Sequence, residues 1–442
     1  MRPRTTQTAP QGGAEGLLKQ HYRELLEEAR QRTLWLVDTV SVEDLERVHS
    51  DLLSPLVWDL GHIAAFEDLW LCQQAGGLPA LRADLADVYD ATLTPRAQRG
   101  ELSYLHHADA LAFMQAVRER ALDVLHEADL SPDAEPLTAG GFVWEMLVRH
   151  EQQHNETMLQ TLQLAEPGVF TPRARPVPAP LFAERGPDMV LVDGGPCLIG
   201  AEEDGFAYDN ERSRHELELP AFEIDRLPVT NRDFAAFVNE GGYHRREWWS
   251  DAGWAWREAE GVERPLYWTA DGEVRRFDRV APLDPRLPVM HVSWFEADAY
   301  ARSRGKRLPS EAEWEKAAAW DDASGEHLPY PWGDEPPGDR QANLDQSAFG
   351  PARAGAYPAG ESPCGALGMI GDAWEWTASD FRAYPGFGAF PYREYSEIFF
   401  GDRFKVLRGG SWATRPRVVG TTFRNWDYPQ RRQIFSGFRC AA

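Results

Sequence analysis

Val143-Trp144-Glu145-Met146-Leu147-Val148-Arg149-His150-Glu151-Gln152-Gln153-His154-Asn155-Glu156 is the stretch on which the N-terminal half of the chain turns. Val143, Leu147, His150, His154, Met158 and Leu162 recur at three- and four-residue spacing, so on a helix they share one face. Two histidines therefore sit inside an apolar stripe and point at whatever the helix packs against. Burying an imidazole costs free energy unless it finds a partner, and one metal ion satisfies both. The plain alternative is a pair of core histidines hydrogen-bonded to neighbours; for two on one buried face, metal is the better reading. Glu156 lies well around the helix from both histidines, so it reads as a supporting or surface group and not as a third ligand.

Three further helical patterns precede this one. The first covers about residues 15–40. Ser54-Pro55 then reads as an N-cap followed by Pro at the first helical position, opening LVWDLGHIAAFEDLWLCQQ, which ends near Gly76-Gly77. Residues 78–103 read as a long connection with little period, and a third helix follows over about 108–126. With the opening stretch at about 141–164, this pattern predicts a four-helix bundle over residues 14–165, whose core is a usual place for a metal. In the second helix Trp58, His62, Phe66 and Leu69 share a face, which makes His62 the third inward imidazole. Three neutral imidazoles from two helices form a facial set with open positions for water, substrate or dioxygen. Zinc and ferrous iron both satisfy it.

A chain of 442 residues exceeds one ordinary core, so two domains are expected and three are possible. Its net charge of -24 argues against nucleic acid or an anionic membrane as partner. Cys72, Cys197, Cys364 and Cys440 are far apart, which fits a reducing cytoplasm and not a disulfide framework. Residues 1–13 are polar with Pro and Gly and read as a disordered leader, neither signal peptide nor anchor. Residues 166–187 hold six prolines and read as an extended linker. Beyond it, over 188–442, short β-rich runs such as Met189-Val190-Leu191-Val192 alternate with Gly-Gly turns and tryptophans. Helices are expected only near 230–239, 294–304 and 310–320, which together predict an α+β domain held by aromatic packing.

Several stretches carry a resemblance. His62 with His150-Glu-Gln-Gln-His154-Asn-Glu156 resembles a DinB-like four-helix bundle of the iron-dependent kind. The second half resembles the formylglycine-generating-enzyme fold, which is C-type-lectin-like. It does so through Asp209-Asn210-Glu211, Pro228-Val229-Thr230-Asn231, Arg307-Leu308-Pro309-Ser310-Glu311-Ala312-Glu313-Trp314-Glu315, Tyr330-Pro331-Trp332-Gly333-Asp334, Trp374-Glu375-Trp376-Thr377, Leu407-Arg408-Gly409-Gly410-Ser411-Trp412 and Gly437-Phe438-Arg439. In this order the two modules resemble the sulfoxide synthases of ergothioneine biosynthesis. That resemblance implies Fe(II) held by His62, His150 and His154, O2 as co-substrate, and coupling of a cysteine derivative's sulfur to imidazole C2 of Nα-trimethylhistidine. It also implies that bundle and second domain both contact substrate.

The resemblance carries further roles onto single residues. Gln153 matches a contact to the imidazole substrate. Arg96 and Arg99, three apart on a loop, match positions that hold the carboxylates of γ-glutamylcysteine, a task for which paired guanidiniums are suited. Asp427 matches the group that takes that substrate's amino end. Asn425 and Trp426 match positions around the carboxylate and quaternary ammonium of trimethylhistidine, although core packing explains a tryptophan here equally well. In Tyr392-Arg-Glu-Tyr395-Ser396 the first tyrosine matches the catalytic proton source and the second its neighbour at the imidazole; Tyr384 is the competitor if the loop aligns differently.

Three other readings stand beside this one. The ovothiol-type histidine/cysteine sulfoxide synthases usually carry a further methyltransferase domain, which this chain lacks before Ala442. A DinB-like metal-dependent thiol transferase would leave the second domain without a task. A purely binding protein would carry three unligated inward histidines at a cost in stability. Formylglycine generation itself is not expected, because no cysteine pair is placed for it. Arg96, Arg99 and Asp427 favour γ-glutamylcysteine over cysteine as thiol donor.

Overall fold

Each of the four long helical patterns forms a helix in a computed structural model, which describes residues 11–174 and 186–442. The chain divides into two units, Met1–Ala165 and Glu166–Ala442. In chain order the first unit contains α1 (Gln11–Val37), α2 (Val42–Glu46), α3 (Leu56–Glu67), α4 (Ala86–Tyr89), α5 (His107–Glu127) and α6 (Phe142–Leu164). The long helices α1, α3, α5 and α6 make the bundle: α3 packs on α5 and α6, and α1 on α6. Its core is closed by Leu26, Trp58, Val117, Trp144 and Leu159, all nearly inaccessible.

Several boundaries differ from the sequence reading. Residues 11–13, expected in the leader, belong to α1; residues 1–10 lie outside the described residues. Ser54 does not cap α3. Pro55 occupies that position without a side-chain cap, and the Ser54 hydroxyl instead accepts from Arg99 Nη1 at 3.0 Å. Beyond Glu67 the helix continues as a π-helix over Asp68–Ala75 before Gly76 ends it. The connection after it is not unstructured: α4 and a 3₁₀ turn at Arg96–Glu101 lie within it. Glu156 is buried, which rules out its surface alternative.

The bundle also buries four charges. Arg30 bonds Glu67 at 2.7 Å and Glu151 at 2.9 Å, and Arg118 bonds the same two carboxylates at 2.6 and 3.4 Å. Burial pushes the Glu67 carboxyl up, but Arg118 and Arg30 outweigh it and hold the group below the usual carboxylate range.

In the second unit the first residues of the expected linker already belong to the fold: Phe170 packs on Phe277 at 5.3 Å, and Thr171 Oγ1 donates to Asp278 at 2.6 Å. Residues 175–185 lie outside the described residues. The order continues β1 (Met189–Val192), β2 (Gly195–Ile199), β3 (His215–Leu219), β4 (Phe222–Asp225), α7 (Asn231–Asn239), α8 (Asp251–Glu260), β5 (Glu273–Arg276), β6 (Arg279–Pro282), α9 (Trp294–Ser303), α10 (Glu311–Ala319), β7 (Trp320–Asp321), β8 (Glu326–His327), β9 (Trp374–Asp380), β10 (Lys405–Arg408), β11 (Asn425–Asp427) and β12 (Ser436–Gly437). Helix α8 has no counterpart in the sequence reading. Only Gly253 in it is buried, so it shows no apolar period to read.

The largest sheet runs β11-β10-β9-β12, with β10 antiparallel to both neighbours and β12 parallel to β9. Its register sets Val406 against Trp426 and Leu407 against Asn425. Around it lies a buried ion network. Arg408 bonds Glu311 and Glu315 at 2.7 Å each, Arg424 bonds Glu311 at 2.6 Å, and Arg439 bonds Glu375 at 2.7 Å. Aromatic packing is extensive, as the composition predicts, but these arginines pin the motif stretches to one another.

Candidate functional site

The apolar stripe of α6 and the inward face of α3 bring three imidazoles together. One ligating nitrogen each from His62, His150 and His154 lies within 4.8 Å of the others. His62 is buried and the other two are half-buried. His62 Nε2 stands 3.3 Å from His150 Nε2. Two nitrogens about 2.1 Å from one ion lie about 3 Å apart, so this spacing suits a shared metal.

Three different devices orient the three rings. His62 Nδ1 donates to the Tyr89 carbonyl at 2.7 Å, which leaves its Nε2 lone pair for a metal. Its ring also stacks on Trp58 at 4.9 Å and 9°, and Trp58 Nε1 donates to the Val88 carbonyl at 3.0 Å. His154 Nδ1 donates to Asp59 Oδ1 at 3.0 Å, a carboxylate–histidine pair that fixes the ring's tautomer and orientation. His150 lies against Phe66, ring centroids 3.9 Å apart, and its buried Nδ1 has no hydrogen-bond partner. Burial and the neighbouring His154 push the His62 and His150 pKa values well down, so both are neutral donors. The donor set and its geometry fit a divalent metal.

Asp59 and the Tyr89 carbonyl were not among the residues found by sequence, and Trp58 was placed on the His62 face without a role in orienting that ring. Asp59 had a signal: an acid three residues before His62 on an otherwise apolar helix face, now only 1% exposed. Gly61 had one as well. A Cβ there would lie 2.2 Å from the Tyr89 ring, so only glycine lets the crossover approach α3 closely enough for Tyr89 to hold His62.

Arg96 and Arg99 sit on the 3₁₀ turn Arg96–Glu101 and not on an open loop. Arg96 is exposed, whereas Arg99 is 6% exposed and donates to Thr94 O, Ser54 Oγ and Ala91 O at 3.2, 3.0 and 3.0 Å. Its guanidinium also lies over Trp58 at 4.1 Å, extending the stack from His62. Those bonds use three of the five N–H donors and leave two. Burial, helped by the like charge of Arg96, pulls the Arg99 pKa down to about 10. An anion between the two would relieve both costs. Gln153 is half-buried on α6.

In the second unit Tyr392, Tyr395 and Trp426 come together. The Tyr392 and Tyr395 rings are 6.2 Å apart, and Tyr395 stands edge-on to Trp426 at 5.9 Å and 87°. Trp426 stacks on Phe381 at 4.1 Å, so one face of the indole is spent on packing. Along β11, Asn425 and Asp427 point to one side and Trp426 to the other. Because β11 is an edge strand, one ligand can reach both sides only around its open edge. Asn425 Oδ1 accepts from Trp426 N, and Asp427 Oδ1 from Tyr428 N at 2.7 Å. Tyr384 is differently placed. Arg424 covers its ring at 4.0 Å, and its hydroxyl is buried without a hydrogen-bond partner.

Known proteins match both units. The sulfatase-modifying factor enzyme 1-like domain matches residues 175–442, and the DinB superfamily matches residues 25–158. The hercynine oxygenase of Mycolicibacterium thermoresistibile is 47% identical, over 96% of each chain. Those of Mycolicibacterium smegmatis and Mycobacterium tuberculosis are 45% and 46% identical, over 93% and 94% of this chain and 96% and 97% of theirs. With identity at this level running through the metal-fitting bundle and the second unit alike, the chain belongs to the hercynine oxygenase family.

Proposed function

We propose that His62, His150 and His154 hold iron(II), and that the enzyme joins the sulfur of γ-glutamylcysteine to imidazole C2 of hercynine, Nα-trimethylhistidine. The product is the hercynyl sulfoxide intermediate of ergothioneine biosynthesis. The overall change balances: a thiol S–H and an imidazole C2–H are lost, one oxygen atom of O2 enters the sulfoxide, and the other leaves as water. When bound, iron supplies the redox chemistry that couples the four-electron reduction of O2 to these two oxidations. The observation that carries this reading is the three-imidazole set in a hercynine oxygenase: with only three protein ligands, coordination positions stay open for exogenous ligands.

The chain's own residues bind and orient. Asp59 and the Tyr89 carbonyl keep the His154 and His62 rings aimed at the metal. Arg96 and the two free N–H groups of Arg99 receive the thiol's carboxylates, and Asp427 its ammonium. Gln153, Tyr395, Asn425 and Trp426 contact hercynine, whose quaternary ammonium offers no N–H and is recognised by aromatic and apolar contact. Tyr392 is the proton source, and the buried hydroxyl of Tyr384 supports it over that competitor. Among the described residues no helix is long and apolar enough to cross a membrane, and the four free cysteines fit a cytoplasmic location.

Protein reconstituted with iron(II) is supplied in air with hercynine plus γ-glutamylcysteine or cysteine, and products are identified by mass. The coupled sulfoxide is expected, in higher yield with γ-glutamylcysteine. No coupled product with either thiol overturns the reading.

A further inference from the structure

Asp209-Asn210-Glu211 is a motif stretch that the proposed chemistry leaves without a task. It forms a buried 3₁₀ turn that is anchored from several sides. Glu211 accepts from Tyr208 N at 2.9 Å and from Thr422 Oγ1 at 2.6 Å, and the Asn210 carbonyl accepts from Arg424 Nη1 at 2.7 Å. What remains free of this anchoring is the Asp209 carboxylate, and both its oxygens are turned to the tyrosine-rich segment 381–400. Oδ1 accepts from the Ser396 hydroxyl, and Oδ2 accepts from the Phe390 backbone N–H at 3.3 Å. Asn210 Nδ2 adds a bond to Ser396 Oγ at 3.0 Å, and Tyr208 stacks on Tyr395 at 4.3 Å and 16°.

Elsewhere the segment is held by Arg424, which covers the Tyr384 ring at 4.0 Å and donates to Arg382 O at 2.9 Å, and by the packing of Phe399 and Phe400. Its ends are pinned by the bonds from Phe381 N to Phe404 O and from Gly401 N to Phe381 O, both 2.9 Å. Ala383, Pro385, Gly386, Gly388 and Ala389 are exposed, and the Arg393–Glu397 pair lies in solvent, where ion pairs contribute little. Tyr392 lies two residues after Phe390 and four before Ser396. The two oxygens of one carboxylate thus bracket it in the chain.

We propose that Asp209 is a positioning residue for Tyr392: it fixes the chain on both sides of the phenol and so holds the proton source in one place. This rests on the reading of Tyr392 as the proton source. The consequence is a choice between two balanced outcomes that draw on the same O2. With the phenol in place, sulfur bonds to imidazole C2 and takes one oxygen atom, the other leaving as water. With the phenol displaced, the thiol takes both atoms as a sulfinic acid and hercynine is untouched. Burial raises the Asp209 pKa against its hydrogen bonds, as expected of a carboxylate kept inside for its contacts.

The test compares D209N, Y392F and the double variant as iron-reconstituted enzymes, reading the ratio of sulfoxide to sulfinate, the KM for both substrates and amide exchange over residues 390–396. D209N is expected to lower the ratio about threefold or more, toward that of Y392F, with KM values little changed and faster exchange at Phe390. In the double variant the ratio should match that of Y392F alone, because both substitutions act through one phenol. A ratio unmoved in D209N while Y392F moves it overturns the role of Asp209. So does an additive loss in the double variant. A ratio unmoved in Y392F removes the reading of Tyr392 itself, and with it this proposal. Should D209N fail to fold, S396A removes one anchor only and is read in the same way.

Discussion

The two units present their candidate residues in opposite ways. In the bundle, His62, His150 and His154 stand on two long helices, and each ring has its own support in a carbonyl, a carboxylate or an aromatic face. In the second unit, Tyr392 and Tyr395 stand on an irregular segment and Asn425, Trp426 and Asp427 on a short edge strand. Regular elements hold a constellation more tightly than loops do, so the second unit needs anchors for the chain itself where the bundle needs only supports that orient its rings. The difference teaches what the motifs that carry a family resemblance do in a fold of this kind. Glu311 and Glu315, Glu375, Arg408 and Arg439 all come from the stretches that carried the family resemblance, and all are spent on the buried ion network. They identify the scaffold; the residues proposed for the chemistry stand on the segments between them.

Substitutions can break or sharpen this contrast. The largest effect is expected for His150→Ala, which should abolish iron retention, measured by metal content after gel filtration, while leaving the thermal midpoint of the metal-free protein within a few degrees. Removing one member of a buried ion network comes next. Arg118→Met in the bundle and Arg408→Met in the second unit should each cost about 3–5 kcal/mol in chemical denaturation, because each leaves one negative charge of a buried network uncompensated. Glu67 adds a pH signature. Its carboxyl is held below the ordinary range, so its contribution is complete above the unfolded value near 4.5 and is lost as pH falls through the lower native value. In the Glu67→Gln variant the acid limb of a stability–pH profile should be shallower.

Smaller effects separate ligand support from scaffold. Asp59→Asn should weaken metal affinity about 10- to 100-fold, read by competition with a chelator, with little change in stability. Ser310→Ala removes one half of the capping box at the start of α10, where Ser310 Oγ accepts from Glu313 N at 3.2 Å and Glu313 Oε2 from Ser310 N at 2.7 Å. It should cost about 1 kcal/mol by thermal denaturation and leave metal affinity and product ratio alone. A change of metal affinity in Ser310→Ala would contradict the division between scaffold and site drawn above.

How much was legible in the sequence differs between the units for a physical reason. A helix that buries one face writes its period into the chain, and that period placed His62, His150 and His154 together before any family was considered. It missed Asp59 because the same period counts an acid on an apolar face as noise, and it missed Tyr89 because a backbone carbonyl leaves no mark on residue type. Ser54 was misread as a cap because the hydroxyl's partner, Arg99, lies 45 residues away in the chain. In the second unit Tyr392, Tyr395 and Trp426 follow no period at all, and only the resemblance singled them out. Asp209 was quoted there as part of a motif, without the contacts to Phe390 and Ser396 that explain it.

The central claim joins the bundle's three histidines to an O2-dependent carbon–sulfur coupling. It is tested most directly by running the iron-reconstituted enzyme and its His150→Ala variant under ¹⁸O₂ with hercynine and γ-glutamylcysteine and weighing the products. The account predicts a hercynyl sulfoxide carrying one ¹⁸O atom from the unsubstituted enzyme and no sulfoxide from the variant. A sulfoxide without the label, or one formed equally well by His150→Ala, would contradict it.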